Sequence, residues 1–345
     1  MIIIIKYSYH YLGDDFLKRV LKLLLICIIF ITYALLLFFN IDAANGVIEG
    51  IKLTVEIIVP SLFIFTVITI FFLKCGGANP LFNHLGIPAT VYILSLFGGY
   101  PSGALCLNEL YGSKVINDKQ LENFLIFSIN AGPSFIYSAI GQGIFGSKTI
   151  GLFLLISNTI TSFLPCLFYS IKNKGNNKKV SKKEPIFSAL VKSTESGVYA
   201  MLKIAGTVVF ISGIFSILTA LKVPYIEKFL AFFEITTGIK QNPENLNLAA
   251  FLIGFSGVSV LIQIKLILKD IKINFIKIFT AKCFQGFMNV LLVKILVSAF
   301  PTAIEVISNG NAVYEKAFIV SLPTSIAFLL LCVFYIYEID TLKLN

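Results

Sequence analysis

The sequence has no tryptophan, only two histidines and three methionines, and charge on just 13% of its 345 residues. A soluble domain carries charge on about a quarter of its residues, so a water-soluble globule is excluded first. His10 and His84 have no carboxylate or cysteine at ligand spacing, which leaves no histidine-based metal site. The six cysteines, Cys27, Cys75, Cys106, Cys166, Cys283 and Cys332, are scattered, mostly in apolar segments, without a CxxC pair. Neither a disulfide framework nor a zinc site follows from that spacing. No nucleophile–base pair, phosphate loop or metal-ligand cluster is present, so the expectation is a protein that is not an enzyme and uses no cofactor. The missing tryptophan excludes nothing, because 14 tyrosines and 33 phenylalanines can supply an interfacial belt.

What the chain does have is apolar length. It is 57% hydrophobic with a mean hydropathy of +0.88, and several runs approach the ~20 residues that span a bilayer. These features predict an all-α polytopic membrane protein whose first partner is the lipid bilayer. The net charge of +10 does not point to nucleic acid. Much of it sits in one run, Lys172, Lys174, Lys178, Lys179, Lys182 and Lys183, which reads as a solvated cytoplasmic linker beside membrane helices.

That linker divides the chain. An N-terminal tail and first span occupy 1–44, a first repeat 45–172, the linker 173–185, a second repeat 186–300, and a C-terminal loop, last span and tail 301–345. Spans are expected at about 20–39, 50–73, 121–144, 150–171, 197–221, 275–299 and 317–337, with an amphipathic stretch at 222–240. Lys52 and Glu56, four apart, read as a local ion pair.

Two stretches break the apolar pattern. Ser95–Tyr111 contains Gly98, Gly99, Tyr100, Pro101, Ser102 and Gly103 in succession. Proline removes a backbone donor and glycine permits shapes a helix does not use, so an uninterrupted span has no need of this core. Gly254–Gln263 is the second, with Ser256, Gly257, Ser259 and Gln263. Backbone that leaves the helix inside a membrane is tolerated only where protein or a watery cavity satisfies it. Both are therefore expected to be broken, re-entrant hairpins, related as the two copies of an inverted repeat with substrate between their tips. One feature resists: Lys265, Lys269, Lys272 and Lys277 would then lie outside, against the positive-inside tendency, so either the second hairpin crosses fully or these lysines serve another purpose, such as attracting an anion.

Further polar candidates fall near these breaks. Asn130, Ser134 and Tyr137 share one helical face, as do Lys282, Gln285 and Asn289 in a matching span. Phe233–Gly238 adds Glu234, Thr236 and Thr237. A lysine near mid-membrane costs about 2.5–3.5 kcal/mol on insertion scales, so Lys282 is either functional or snorkels to an interface.

GGYPSGA at 98–104, NAGPSF at 130–135, FEITTG at 233–238 and GFSGVSVLIQ at 254–263 occur in the order seen in sporulation integral membrane proteins of the YlbJ type. Over residues 45–300 the chain resembles that family, which belongs to the gate-domain or nucleoside-recognition proteins and is similar in architecture to concentrative nucleoside transporters. The resemblance implies transport of dipicolinic acid, a small anionic aromatic metabolite, across the outer forespore membrane late in sporulation. It keeps two alternatives in view: another gate-domain transporter of nucleosides or small metabolites, and a non-transporting membrane protein needed for the spore cortex. Assembly as a homo-oligomer and coupling to an ion both stay open.

Overall fold

The computed structural model describes residues 2–172, 184–222, 226–269 and 271–300 of the protein. The lysine run at 174–183 and the segment 301–345, with its expected last span, lie outside them. The described residues are helical throughout, with no strand among them. Six helical runs are long and apolar enough to cross a bilayer: Asn40–Lys74, Asn79–Gly98, Lys148–Lys172, Ile186–Ala220, Leu246–Ile267 and Phe275–Ala299. The chain is an all-α, membrane-spanning protein.

Helix α1 (Ile2–Phe38) leaves its large apolar side chains from Leu23 to Phe38 mostly exposed, as a lipid-facing helix does. After a single turn residue, Phe39, helix α2 (Asn40–Leu53) passes through a π-helical turn, Thr54–Ile58, into α3 (Val59–Lys74). Pro60 stands at the start of α3, and the wider π turn before it accommodates the donor that proline lacks. This rod packs along α8 (Ile186–Ala220) through small residues. A Cβ added at Gly46 would lie 2.5 Å from the Ser212 carbonyl oxygen, and one at Gly50 2.9 Å from Val209 Cα. Helices in lipid gain little from hydrophobicity and associate instead through such close backbone approach. Lys52 differs from expectation: its ammonium pairs with Glu49 at 3.2 Å, not with Glu56. Both spacings are available on a helix surface.

The polar ends of the helices define two sides. On one, Lys74 Nζ meets Glu109 Oε1 at 2.6 Å and the Glu184 amide donates to the Lys74 carbonyl. At the same end Lys277 Nζ and the Tyr169 hydroxyl both donate to Asn123 Oδ1, and the Asn274 amide donates to Glu122. Lys172 and the segment from Lys265 to Lys277 therefore share this side. On the other side Phe153 faces Phe300, and α2, the end of α8 and residues 237–241 surround one cavity.

Helices α4 (Asn79–Gly98) and α5 (Tyr100–Gly112) fold back on one another at Gly99, whose φ of 76° suits glycine. Ser102 Oγ lies 3.4 Å from the Leu94 carbonyl oxygen across the fold, and both open ends lie on the Lys74 side. Helix α6 (Asp118–Ser128), capped by a reciprocal Asn117–Gln120 box, then ends at mid-span. The span expected without interruption over 121–144 is broken. Ile129–Pro133 leaves the helix, which resumes as a π-helical segment, Ser134–Ile144, before α7 (Lys148–Lys172) returns. Gly132 and Pro133 supply the break.

The second half differs from the sequence reading in one substantial way. Its fold-back is not at 248–268 but at Glu234, between α9 (Ile226–Phe233) and α10 (Ile235–Gln241). A Cβ added at Gly238 would lie 2.4 Å from Ala231 Cα, so these short helices pack side by side. The stretch expected as a hairpin is α11 (Leu246–Phe255) and α12 (Gly257–Ile267), one apolar run of 22 residues interrupted only at Ser256. Two successive residues of positive φ, Ser256 (φ 74°, ψ −1°) and Gly257 (φ 70°), interrupt the run there. Because this run is long enough to cross, its lysines reach the Lys74 side, and the apparent conflict with positive-inside charge disappears. Helix α13 (Phe275–Ala299) completes the described chain. Each half thus runs in the order long helix, fold-back, broken helix, long helix.

Candidate functional site

The two fold-backs and the two breaks meet inside the protein. At the first tip, a Cβ added at Gly132 would lie 3.4 Å from Gly99 Cα, so the fold-back rests on the broken segment Ile129–Pro133. At the second, a Cβ added at Gly257 would lie 2.9 Å from the Ile235 side chain and 3.4 Å from the Phe233 carbonyl. The fold-back at Glu234 therefore rests on the Ser256–Gly257 break in the same manner. The Tyr100 hydroxyl bridges the halves by donating to the Ile253 carbonyl, 3.4 Å away in the last turn of α11.

The first tip is held by local bonds. Ser102 Oγ donates to the Gly99 carbonyl at 2.8 Å, and Pro101 sits in the first turn of α5, where its missing N–H costs nothing. Gly98 leaves room for Thr69, whose Oγ1 lies 2.8 Å from where a Cβ would be, and Gly103 lets the Ser128 carbonyl approach α5. Gly98 and Gly103 thus act by packing. At the second tip Glu234 caps α10, its Oε2 accepting from the Thr237 amide. Thr236 is buried beside it, while Thr237 faces the cavity.

Lys282 is fully buried on α13. Its Nζ donates to the Ile129 carbonyl at 2.5 Å and to Gln285 Oε1 at 2.6 Å. Gln285 Nε2 is 3.4 Å from Asn158 Oδ1 on α7, and Asn289 accepts from Thr161 while donating to the Ala250 carbonyl. Among the described residues no carboxylate lies within ion-pairing distance of Lys282. Asn130 Nδ2 donates to the Phe127 carbonyl, at the end of α6.

Around these bonds several polar atoms are buried without a protein partner: Asn130 Oδ1, Ser128 Oγ, Asn158 Nδ2, and Thr66 and Thr69 Oγ1. Leaving such a group unpaired costs about 1–3 kcal/mol, so a cluster of them calls for a ligand or water. Ser134 opens the π-helical segment close by, and Ser259 and Gln263 are buried on α12 beyond the second break. The residues named from sequence therefore occur in three places: the two tips with their breaks, α12, and the α13 network. Thr66, Thr69, Asn158 and Thr161 were not among them. Their signal is a polar i, i+3 spacing inside otherwise apolar runs.

A cavity of about 900 Å³ opens on the side away from Lys74 and reaches Glu234 and Thr237. Among the described residues, Asp42, Glu49, Glu56 and Glu234 line it against two lysines, Lys52 and Lys240, so its described lining is acidic. No group of three or more metal-binding side chains occurs among the described residues.

No family model matches the chain, and no solved structure matches it. A curated relative does: the sporulation integral membrane protein YlbJ of Bacillus subtilis (strain 168), 22% identical over 318 residues. The chain is similar to a sporulation membrane protein. The match covers 74% of this chain and 77% of that protein, so it takes in most of both. With the six apolar helical runs, it places the chain as an integral membrane protein distantly related to that one.

Proposed function

We propose that the protein is a transporter of a small anionic aromatic metabolite, dipicolinic acid, and not an enzyme. In this reading it acts in the outer forespore membrane late in sporulation. The observation that carries the proposal is the pair of tips resting on broken helices, with unpaired polar atoms buried where they meet. Scaffolds have no use for irregular backbone at membrane depth, whereas transporters bind solute at such breaks. The equivalent order of elements in the two halves supports reading them as copies of an inverted repeat, with the Gly99 fold-back matched to Glu234 and the Ile129–Pro133 break matched to Ser256.

The electrostatics favour an anion. The N-terminal ends of α5 and α12 begin at the breaks and carry positive dipole charge. In its protonated form Lys282 brings a positive charge next to the α6 end, and two of its three donors are then used, which leaves one for a carboxylate. Tyr100 or Phe97 offers a ring for stacking. The acidic lining at the cavity mouth disfavours an anion at that end, so the anion-favouring groups are those deeper in the site. Titrating the purified protein with dipicolinate in a calorimeter, with uridine in parallel, tests the proposal. Saturable heat with dipicolinate and none with uridine supports it. The reverse result makes the protein a nucleoside carrier, and no heat with either overturns the reading.

A further inference from the structure

Helix α6 ends inside the protein, where its last carbonyls have no helical partner. One of those groups, the Phe127 carbonyl, accepts from Asn130 Nδ2. The Ile129 carbonyl, just past the helix, accepts from Lys282 Nζ. Such an end carries partial negative charge. In transporters with broken helices, unwound carbonyls and half-helix C-termini are where a coupling cation is coordinated. Here that place is taken by an ammonium tethered to α13 and steered by Gln285, which Asn158 anchors in turn. The Lys282 side chain is fully buried, and its described partners are neutral oxygens rather than a carboxylate. An ion pair therefore does not account for it, and the end of α6 does.

We propose that Lys282 is a built-in cation, which holds the broken end of α6 in place so that this half of the site assembles without sodium or another free metal cation. The inference deepens the transport reading, since the segment it fixes is the one on which the Gly99 tip rests. Lys282 is then a positioning residue for the break as well as a charge near the solute.

The test is thermal melting of the full-length protein in detergent, in sodium chloride and in N-methyl-D-glucamine chloride at equal ionic strength. Wild type should melt at the same temperature in both. Lys282→Ala should melt lower and be raised, in proportion to concentration, by sodium or ethylammonium, which can enter the space left by the side chain. A wild type that sodium raises by several degrees, or a Lys282→Ala variant no more cation-responsive than wild type, would overturn the inference. Should Lys282→Ala fail to fold, Lys282→Arg decides instead, because it retains the charge. Its melting should be independent of sodium, and sodium dependence would refute a tethered cation. Melting does not depend on transport, so these results stand whether or not dipicolinate binds.

Discussion

Replacing Gly103 with alanine is the sharpest local test of how the first tip is built. A Cβ at this position would lie 2.1 Å from the Ser128 carbonyl oxygen and 2.9 Å from Ser95 Cβ. Non-bonded carbon atoms are comfortable at about 3.5 Å, so α5 must retreat from α6 by roughly 1 Å or more. Overpacking of this kind costs about 1–3 kcal/mol. Each kcal/mol moves the melting temperature by about 2–4 °C in chains of 150–250 residues and by less in one of 345, so a drop of about one to four degrees is expected. The displaced atom is the carbonyl at the end of α6, one residue before the Ile129 group that Lys282 holds. Solute flux should therefore fall by more than the loss of folded protein explains. Gly206→Ala is the control. It lies inside α8 with nothing within 4 Å of an added Cβ, and alanine is favoured there by up to about 1 kcal/mol. Both variants would be followed by melting in detergent and by flux per folded molecule. If Gly103→Ala melts and transports like wild type, the close approach of the tip to α6 is not what shapes the site.

Gly46→Leu should separate α2 from α8, because even a Cβ there falls 2.5 Å from Ser212 and Ser216 atoms, and a melting temperature equal to wild type would refute the small-residue seam. Thr161→Val removes the hydroxyl that Asn289 accepts from, and should cost about 0.6–1.7 kcal/mol in melting or unfolding assays. Cysteines placed at Lys114 and Lys272 should be modified by an impermeant thiol reagent from one face of the membrane, and those at Asn45 and Lys240 from the other. Modification of Lys272→Cys from the same face as Asn45→Cys would mean that α11–α12 does not cross. Ser259→Ala should lower flux while leaving the amount of protein in the membrane unchanged, as judged by immunoblot of membrane fractions.

Composition and apolar run length made the membrane-spanning α-class legible, because bilayer thickness dictates both. The break at Gly99 was legible for a similar reason: five adjacent residues from Gly99 to Gly103 include one proline and two glycines, and no helix interior needs that combination. The Glu234 fold-back was not. Its helices span only 8 and 7 residues, too short for hydropathy to tell from an interfacial stretch. The break at Ile129–Pro133 was hidden differently. Asn130 and Ser134 keep a helical spacing, so they read as one face although the backbone between them is not helical. The Ser256 break was visible but its meaning was not, since the same Gly-Ser cluster is compatible with folding back or passing through. Lys282 stood out by cost alone, while its partner, a backbone carbonyl on another segment, has no sequence signature.

The most direct measurement is dipicolinate flux into liposomes that contain only the purified protein. Saturable entry above that of empty liposomes, undiminished by uridine and reduced by Ser259→Ala, is the expected result. Flux no greater than in empty liposomes would contradict it.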